Sequence, residues 1–98
     1  MGNLNNLFDP GSIAVIGAND DRLGTTGNII LRNLLQAKDR KIFPVNHRRK
    51  ELLGLKCHTT ISNIPDHIDL AIIATPVREV PDLAEECGRA GVGAIVII

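Results

Sequence analysis

One stretch constrains the fold more than any other. Ser12-Ile13-Ala14-Val15-Ile16 is a short apolar run, rich in β-branched residues, that stops at Gly17. A polar loop follows, Ala18-Asn19-Asp20-Asp21-Arg22-Leu23-Gly24-Thr25-Thr26, and closes at Gly27. From Asn28 to Leu35 the residues read as a helix. A buried strand, a glycine loop and a helix N-terminus, in that order, make the phosphate-binding corner of a nucleotide-binding α/β fold.

The physics of such a corner is specific. Free backbone N–H groups at a helix start point at whatever sits in front of them. The helix dipole adds roughly half a positive charge there. Glycine brings the backbone close to a phosphate because no Cβ intervenes. The spacing here is not the dinucleotide fingerprint G-x-G-x-x-G, because the gap from Gly17 to Gly24 is too wide. A wider loop suits a larger or differently posed diphosphate. The alternative is that Gly17 and Gly27 serve only the turn and the packing.

The rest of the chain reads as strands alternating with helices. Leu4, Leu7 and Phe8 have the spacing of one helical turn, and Asp9-Pro10-Gly11 is a turn. Gly27, Ile30, Leu31, Leu34 and Leu35 share one helix face, with Arg32, Asn33 and Gln36 outward. Lys41-Ile42-Phe43-Pro44-Val45-Asn46 is a second strand, with Pro44 near its end because proline has no N–H for a ladder. Glu51-Leu52-Leu53-Gly54 reads as a short helix ended by glycine. Leu55-Lys56-Cys57-His58 reads as a brief edge strand, and residues 59–65 as a polar connection with one helical turn.

Residues 68–74 form the strongest central strand. Val80, Leu83, Ala84 and Cys87 then recur at helical spacing, Pro81 fits only the first turn, and Gly91 suits the C′ position. Residues 93–98 are a last, all-apolar strand. Strands buried on both faces and separated by helices mean a parallel sheet covered on both sides. The fold expected is α/β, a Rossmann-like doubly wound parallel sheet of order 3-2-1-4-5, truncated at its C-terminal end. Residues 1–98 are expected to be one domain, read as a piece of a longer chain.

Composition narrows the function. The 44% hydrophobic content is enough for a core. The formal net charge of +0 gives no field toward nucleic acid or a membrane. Phe8 and Phe43 are the only aromatics of the Phe, Trp and Tyr type, too few for base stacking along a strand. No apolar run approaches the roughly 18 residues of a spanning helix, and residues 1–6 do not read as a signal peptide. Cys57 and Cys87 cannot make a disulfide framework and read as reduced core thiols of a cytoplasmic protein. No catalytic constellation and no metal spacing stand out. Asp20 and Asp21, beside the proposed phosphate site, are expected to face solvent.

The end of the second strand selects among ligands. An NAD site wants an acidic residue there to hold the ribose hydroxyls. Here the residues are Asn46-His47-Arg48-Arg49-Lys50. A basic end suits a ribose that carries a phosphate, as in NADP or coenzyme A. The alternative is a solvated surface run.

A family resemblance separates these readings. The residues that carry it begin with Phe8-Asp9-Pro10 ahead of Ser12-Ile13-Ala14-Val15-Ile16-Gly17-Ala18, then Pro44-Val45-Asn46. Asp69-Leu70-Ala71-Ile72-Ile73-Ala74-Thr75-Pro76, Glu86-Cys87-Gly88 and Ala90-Gly91-Val92 follow in order. Together they resemble the N-terminal CoA-binding domain of the NDP-forming acyl-CoA synthetases. That family includes ADP-forming acetyl-CoA synthetase and is similar to the alpha subunit of succinyl-CoA synthetase. The same domain also occurs fused to acetyltransferase modules.

The resemblance implies a role for several positions. Leu23, Gly24, Thr25 and Thr26 match the loop on the CoA diphosphate, and Arg48 or Arg49 the basic position at the 3′-phosphate. Ala74, Thr75 and Pro76 match the turn beside the adenosine and pantetheine. His47 departs from the family, where proline commonly follows Val-Asn. The family's phosphorylated histidine lies in a later domain, so His47, His58 and His67 are read as ordinary surface or loop residues.

The candidate binding set is therefore Gly17, Ala18, Asn19, Leu23, Gly24, Thr25, Thr26, Gly27, Asn46, Arg48, Arg49, Ala74, Thr75 and Pro76, with coenzyme A as ligand. Expected partners are further domains or a subunit of succinyl-CoA-synthetase-like and ATP-grasp type. Homo-oligomers are left open. The alternatives are an NADP-dependent oxidoreductase domain and a free-standing, non-catalytic CoA-binding or regulatory module.

Overall fold

The computed structural model describes residues 9–18, 26–36 and 39–98. The expected helical turn around Leu4, Leu7 and Phe8 lies outside them, as do Asp20 and Asp21.

A parallel sheet of four strands forms the centre. Its strands are β1 (Ser12–Ile16), β2 (Lys41–Val45), β5 (Leu70–Ile73) and β6 (Ala94–Ile97), in spatial order β2-β1-β5-β6. Between β2 and β5 in sequence, β3 (Glu51–Leu52) and β4 (Leu55–Lys56) make a small antiparallel hairpin. Helix α1 (Thr26–Leu34) joins β1 to β2, and α2 (Val80–Arg89) joins β5 to β6.

The two faces of the sheet follow from strand parity. Successive side chains of a strand point to opposite faces. Ile13 and Val15 therefore join Leu70 and Ile72 against Leu31 of α1. Ala14 and Ile16 join Ala71 and Ile73 against Cys87 of α2 and Ile61. All five residues of β1 are buried, as befits a strand covered on both faces. Fully burying a side chain such as Ile73 contributes about 1.5–3 kcal/mol, so these two layers carry the fold.

The helices end as their residues dictate. The expected stripe of α1 holds, with Leu31 buried and Arg32 and Asn33 exposed. Pro81 sits in the first turn of α2, where its missing N–H has no intrahelical partner to lose. Gly91 (φ +77) closes α2 with a Schellman cap: its N–H reaches the Gly88 carbonyl, and the Val92 N–H reaches the Cys87 carbonyl.

Three expectations need correction. Residues 51–54 are not a helix. They are β3 and the turn of the hairpin, with Leu53 at φ 49 and Gly54 at φ 82. Positive φ at both central residues is the geometry of a two-residue hairpin turn, which suits the twist of the paired strands. Residues 55–58 do not form an edge strand of the main sheet. β4 pairs with β3, and only His58 bridges Val45 of β2. Finally, β6 is not buried on both faces: Ala94 and Val96 pack on the α1 side, while Ile95 and Ile97 are exposed.

Among the described residues no helix is long and apolar enough to cross a membrane.

Candidate functional site

In an open parallel sheet, ligands bind outside the carboxyl ends of the strands, where the chain switches direction across the sheet. Here that point lies between β1 and β5. From β1 the chain runs to β2 on one side, and it later returns to β5 on the other.

Gly17 ends β1 at this point with φ +91. A Cβ there would lie 2.4 Å from the Ala74 carbonyl oxygen and 3.0 Å from Cγ2 of Thr75. Only glycine lets the ends of β1 and β5 close to this distance. The Gly17 N–H also donates to the Val45 carbonyl at 3.3 Å, so three strand ends converge on one residue.

A cleft of about 370 Å³ opens above this convergence. Its floor is Ile16, Gly17 and Val45. One wall is the turn after β2, with Asn46, His47 and Arg48. Thr59, Thr60 and Ile61 form a second wall. Thr75, Glu79, Leu83 and Glu86 form the third, from the end of β5 into α2. The volume lies at the small end of the range for ligand pockets.

The charge is divided across the cleft. Arg48 stands on one wall, and the carboxylates of Glu79 and Glu86 on the other. Glu86 accepts a hydrogen bond from the Ser62 hydroxyl at 3.2 Å. The Thr75 hydroxyl is buried and has no hydrogen-bond partner among the described residues. An unmatched buried hydroxyl costs free energy until something supplies a partner. The cleft can therefore take an anionic group at Arg48 and hydrogen-bonding edges at the far wall.

Two titratable groups near the cleft are perturbed. Burial, then the positive charge of Lys56, lowers the His58 pKa, and Asp66 opposes the shift. The His58 ring lies 5.9 Å from that of Phe43, tilted by 55°. Burial, assisted by Glu86, pushes the Cys87 thiol up to about 11. A neutral thiol packed under α2 is core, not a nucleophile.

Several residues marked in the sequence meet here. Gly17, Asn46, Arg48 and Thr75 line the cleft, with Ala74 and Pro76 flanking Thr75 in the chain. Ala18, next to Gly17 in the chain, is buried. Gly27 and Asn28 are buried in the first turn of α1, and Oδ1 of the Asn28 side chain accepts from Arg32 Nε at 3.1 Å. Arg49 does not line the cleft. Asn19, Leu23, Gly24 and Thr25 lie outside the described residues, as does the side chain of Thr26.

The sequence reading missed Thr59, Thr60, Ile61, Glu79, Leu83 and Glu86 as cleft residues. Leu83 and Glu86 are three apart in the helix that follows β5, the element this topology sets beside the switch point. That signal was available. Thr59 and Thr60 gave none, since only the bridge of His58 to Val45 brings them to the rim.

Sheet order, helix placement and cleft together define the class: a Rossmann-like domain with an open cleft at its switch point. Comparison with known proteins narrows this. Residues 11–98 match the family model described as CoA binding domain. Two acetate–CoA ligases [ADP-forming] of Archaeoglobus fulgidus, I and II, are 42% and 44% identical over 96% and 97% of this chain. The chain spans 14% of the length of each.

A crystal structure of a Pyrococcus horikoshii protein superposes with a TM-score of 0.93 at 43% identity, over 98% of this chain and 22% of the other. A dinucleotide-forming acetyl-coenzyme A synthetase of Candidatus Korarchaeum cryptofilum, solved with phosphate and ADP, superposes with a TM-score of 0.86. It is 43% identical over 94% of this chain and 20% of its own. The chain belongs to the CoA-binding domain family, in the form carried by ADP-forming acetyl-CoA synthetases, and its ligand is coenzyme A.

Proposed function

We propose that the protein holds coenzyme A for an NDP-forming acid–CoA ligase, which consumes a nucleoside triphosphate and releases the diphosphate. In the direction of acyl-CoA synthesis, a nucleoside triphosphate phosphorylates a histidine and leaves as the diphosphate. The phosphohistidine passes its phosphoryl group to the acid to give an acyl phosphate. The CoA thiol then attacks the acyl carbonyl, giving acyl-CoA and releasing phosphate. The residues described here bind and orient; the acyl and phosphoryl chemistry belongs to further domains or a subunit of succinyl-CoA-synthetase-like and ATP-grasp type. Confining the thiol substrate in a fixed pose is itself a large part of such a barrier.

Arg48 on the cleft wall carries this reading. Its guanidinium is a planar fork suited to the 3′-phosphate of CoA. The cleft is our candidate seat for the adenosine, supported by its volume of about 370 Å³ and by the unmatched Thr75 hydroxyl on its wall. The diphosphate belongs to the loop from Ala18 to Thr26 and the start of α1, with Asn19, Leu23, Gly24, Thr25 and Gly27 as its contacts. Arg49 is a second candidate for the 3′-phosphate. Both cysteines are buried and neither is in a disulfide, which supports a reducing, cytoplasmic setting.

Calorimetric titration of CoA, dephospho-CoA and NADP into the full-length protein tests the reading. A hydrogen bond to a charged group contributes about 1.5–3 kcal/mol, or on the order of tenfold to a hundredfold in affinity. CoA should bind at least several-fold tighter than dephospho-CoA, and Arg48→Ala with Arg49→Ala should remove most of that gap. Equal affinity for the two would reduce the basic run to a solvated surface. Tighter binding of NADP would favour an oxidoreductase domain instead.

A further inference from the structure

Asn46 is engaged through both its backbone and its side chain. Its N–H donates to the His58 carbonyl at 2.9 Å, and its carbonyl accepts from Cys57 Sγ at 3.6 Å. Its side-chain Nδ2 donates to the Ala18 carbonyl at 3.0 Å. Its Oδ1 accepts from the Arg48 N–H at 2.8 Å. One half-buried residue thus ties together the exit of β1, the basic turn after β2 and the edge segment.

We propose that Asn46 is a positioning residue that sets Arg48 and the root of the glycine loop in one fixed register. This rests on the reading of Arg48 as the 3′-phosphate contact. CoA carries its 3′-phosphate and its diphosphate on one ribose, a fixed distance apart. A site that reads both groups must hold its two loops at a matching separation. In this protein the two loops belong to different strands, and the Asn46 side chain spans them directly.

The amide is suited to this because it carries a donor and an acceptor on opposite atoms. Its oxygen closes an Asx turn on the N–H two residues on, which fixes the backbone that launches the Arg48 side chain. Its nitrogen anchors that turn to Ala18. Serine can still close the turn through its hydroxyl, but it is too short to reach across to Ala18. Alanine does neither.

The two halves of the brace can therefore be separated in the full-length protein. Titrate CoA and dephospho-CoA into wild type, Asn46→Ser and Asn46→Ala, and record each melting temperature. Asn46→Ser should weaken both ligands by a common factor, on the order of fivefold for one lost hydrogen bond, with their ratio kept. Asn46→Ala should weaken CoA further and collapse the ratio toward unity.

A ratio unchanged in Asn46→Ala would overturn the proposal and leave Asn46 as a fold residue only. So would wild-type CoA affinity in Asn46→Ser, which is the deciding variant if Asn46→Ala does not fold. Failure of the underlying reading is distinguishable, because wild type itself would then show no preference for CoA over dephospho-CoA.

Discussion

The two ends of the parallel sheet share their strands and use their polar groups differently. At the N-terminal end the polar groups satisfy one another. Asp69 accepts the Gly11 N–H at 2.8 Å. The Ser12 hydroxyl donates to the His67 carbonyl at 2.8 Å and accepts the Asp69 N–H at 2.9 Å. Arg40 reaches the Pro10 carbonyl and lies 3.2 Å from Asp9. At the C-terminal end the same strands stop at a cleft, with Arg48 on one wall and a buried, unmatched Thr75 hydroxyl on another. One end spends its polar groups on closing the fold, and the other leaves Arg48 and the Thr75 hydroxyl at the cleft.

The largest effect expected is at Gly17, where the ligand end also carries stability. Gly17→Ala puts a Cβ 2.4 Å from a backbone oxygen at a φ of +91. Left-handed strain and overpacking together should cost on the order of 4 kcal/mol, read as a large fall in the midpoint of thermal or urea unfolding. Gly54→Ala separates the two causes. Gly54 has φ +82, but nothing lies within 4 Å of its added Cβ, so only the strain remains, about 1 kcal/mol or somewhat more. Equal losses at the two glycines would mean that the strand ends do not close on Gly17.

Legibility in the sequence follows how local each determinant is. β1, Gly17 and the stripes of α1 and α2 were readable because a period or a glycine announces each one within a few residues. The hairpin of β3 and β4 was not. Glu51-Leu52-Leu53-Gly54 is too short to show a period, and a leucine at φ 49 in its turn has no compositional signal. The exposure of Ile95 and Ile97 was equally hidden, since an all-apolar strand does not say which face is covered. At the site, the basic turn came from its position after β2 and Thr75 from the family resemblance, whereas Thr59 and Thr60 reach the cleft only through tertiary packing. The two ends of the sheet also looked alike in sequence, because Ser12 and Thr75 are both small hydroxyl residues at the limits of strands.

Those two hydroxyls sharpen the comparison. Ser12 is buried and makes two hydrogen bonds, to His67 and Asp69. Ser12→Ala leaves the His67 carbonyl without its side-chain donor at a partly buried site. The loss should be about 1–3 kcal/mol of stability, measured by urea unfolding. CoA affinity should stay at the wild-type value, since the change lies at the opposite end of the strands. A fall in affinity without a fall in stability would break the division between the two ends.

Thr75→Val is the mirror experiment, with the smallest expected effect on stability. The Thr75 hydroxyl oxygen is buried and meets no partner among the described residues. Replacing an unmatched buried hydroxyl by a methyl group of similar shape removes a desolvation cost and no hydrogen bond, so unfolding should shift little or toward greater stability. A neutral hydrogen bond made only with the ligand contributes about 1 kcal/mol, or roughly fivefold in affinity. CoA binding should weaken by about that factor, with dephospho-CoA weakened equally, because Thr75 lies across the cleft from Arg48. Unchanged affinity for both ligands would show that the hydroxyl is idle in the complex. A loss confined to CoA would instead place the 3′-phosphate at the Thr75 wall and displace Arg48 from its proposed role.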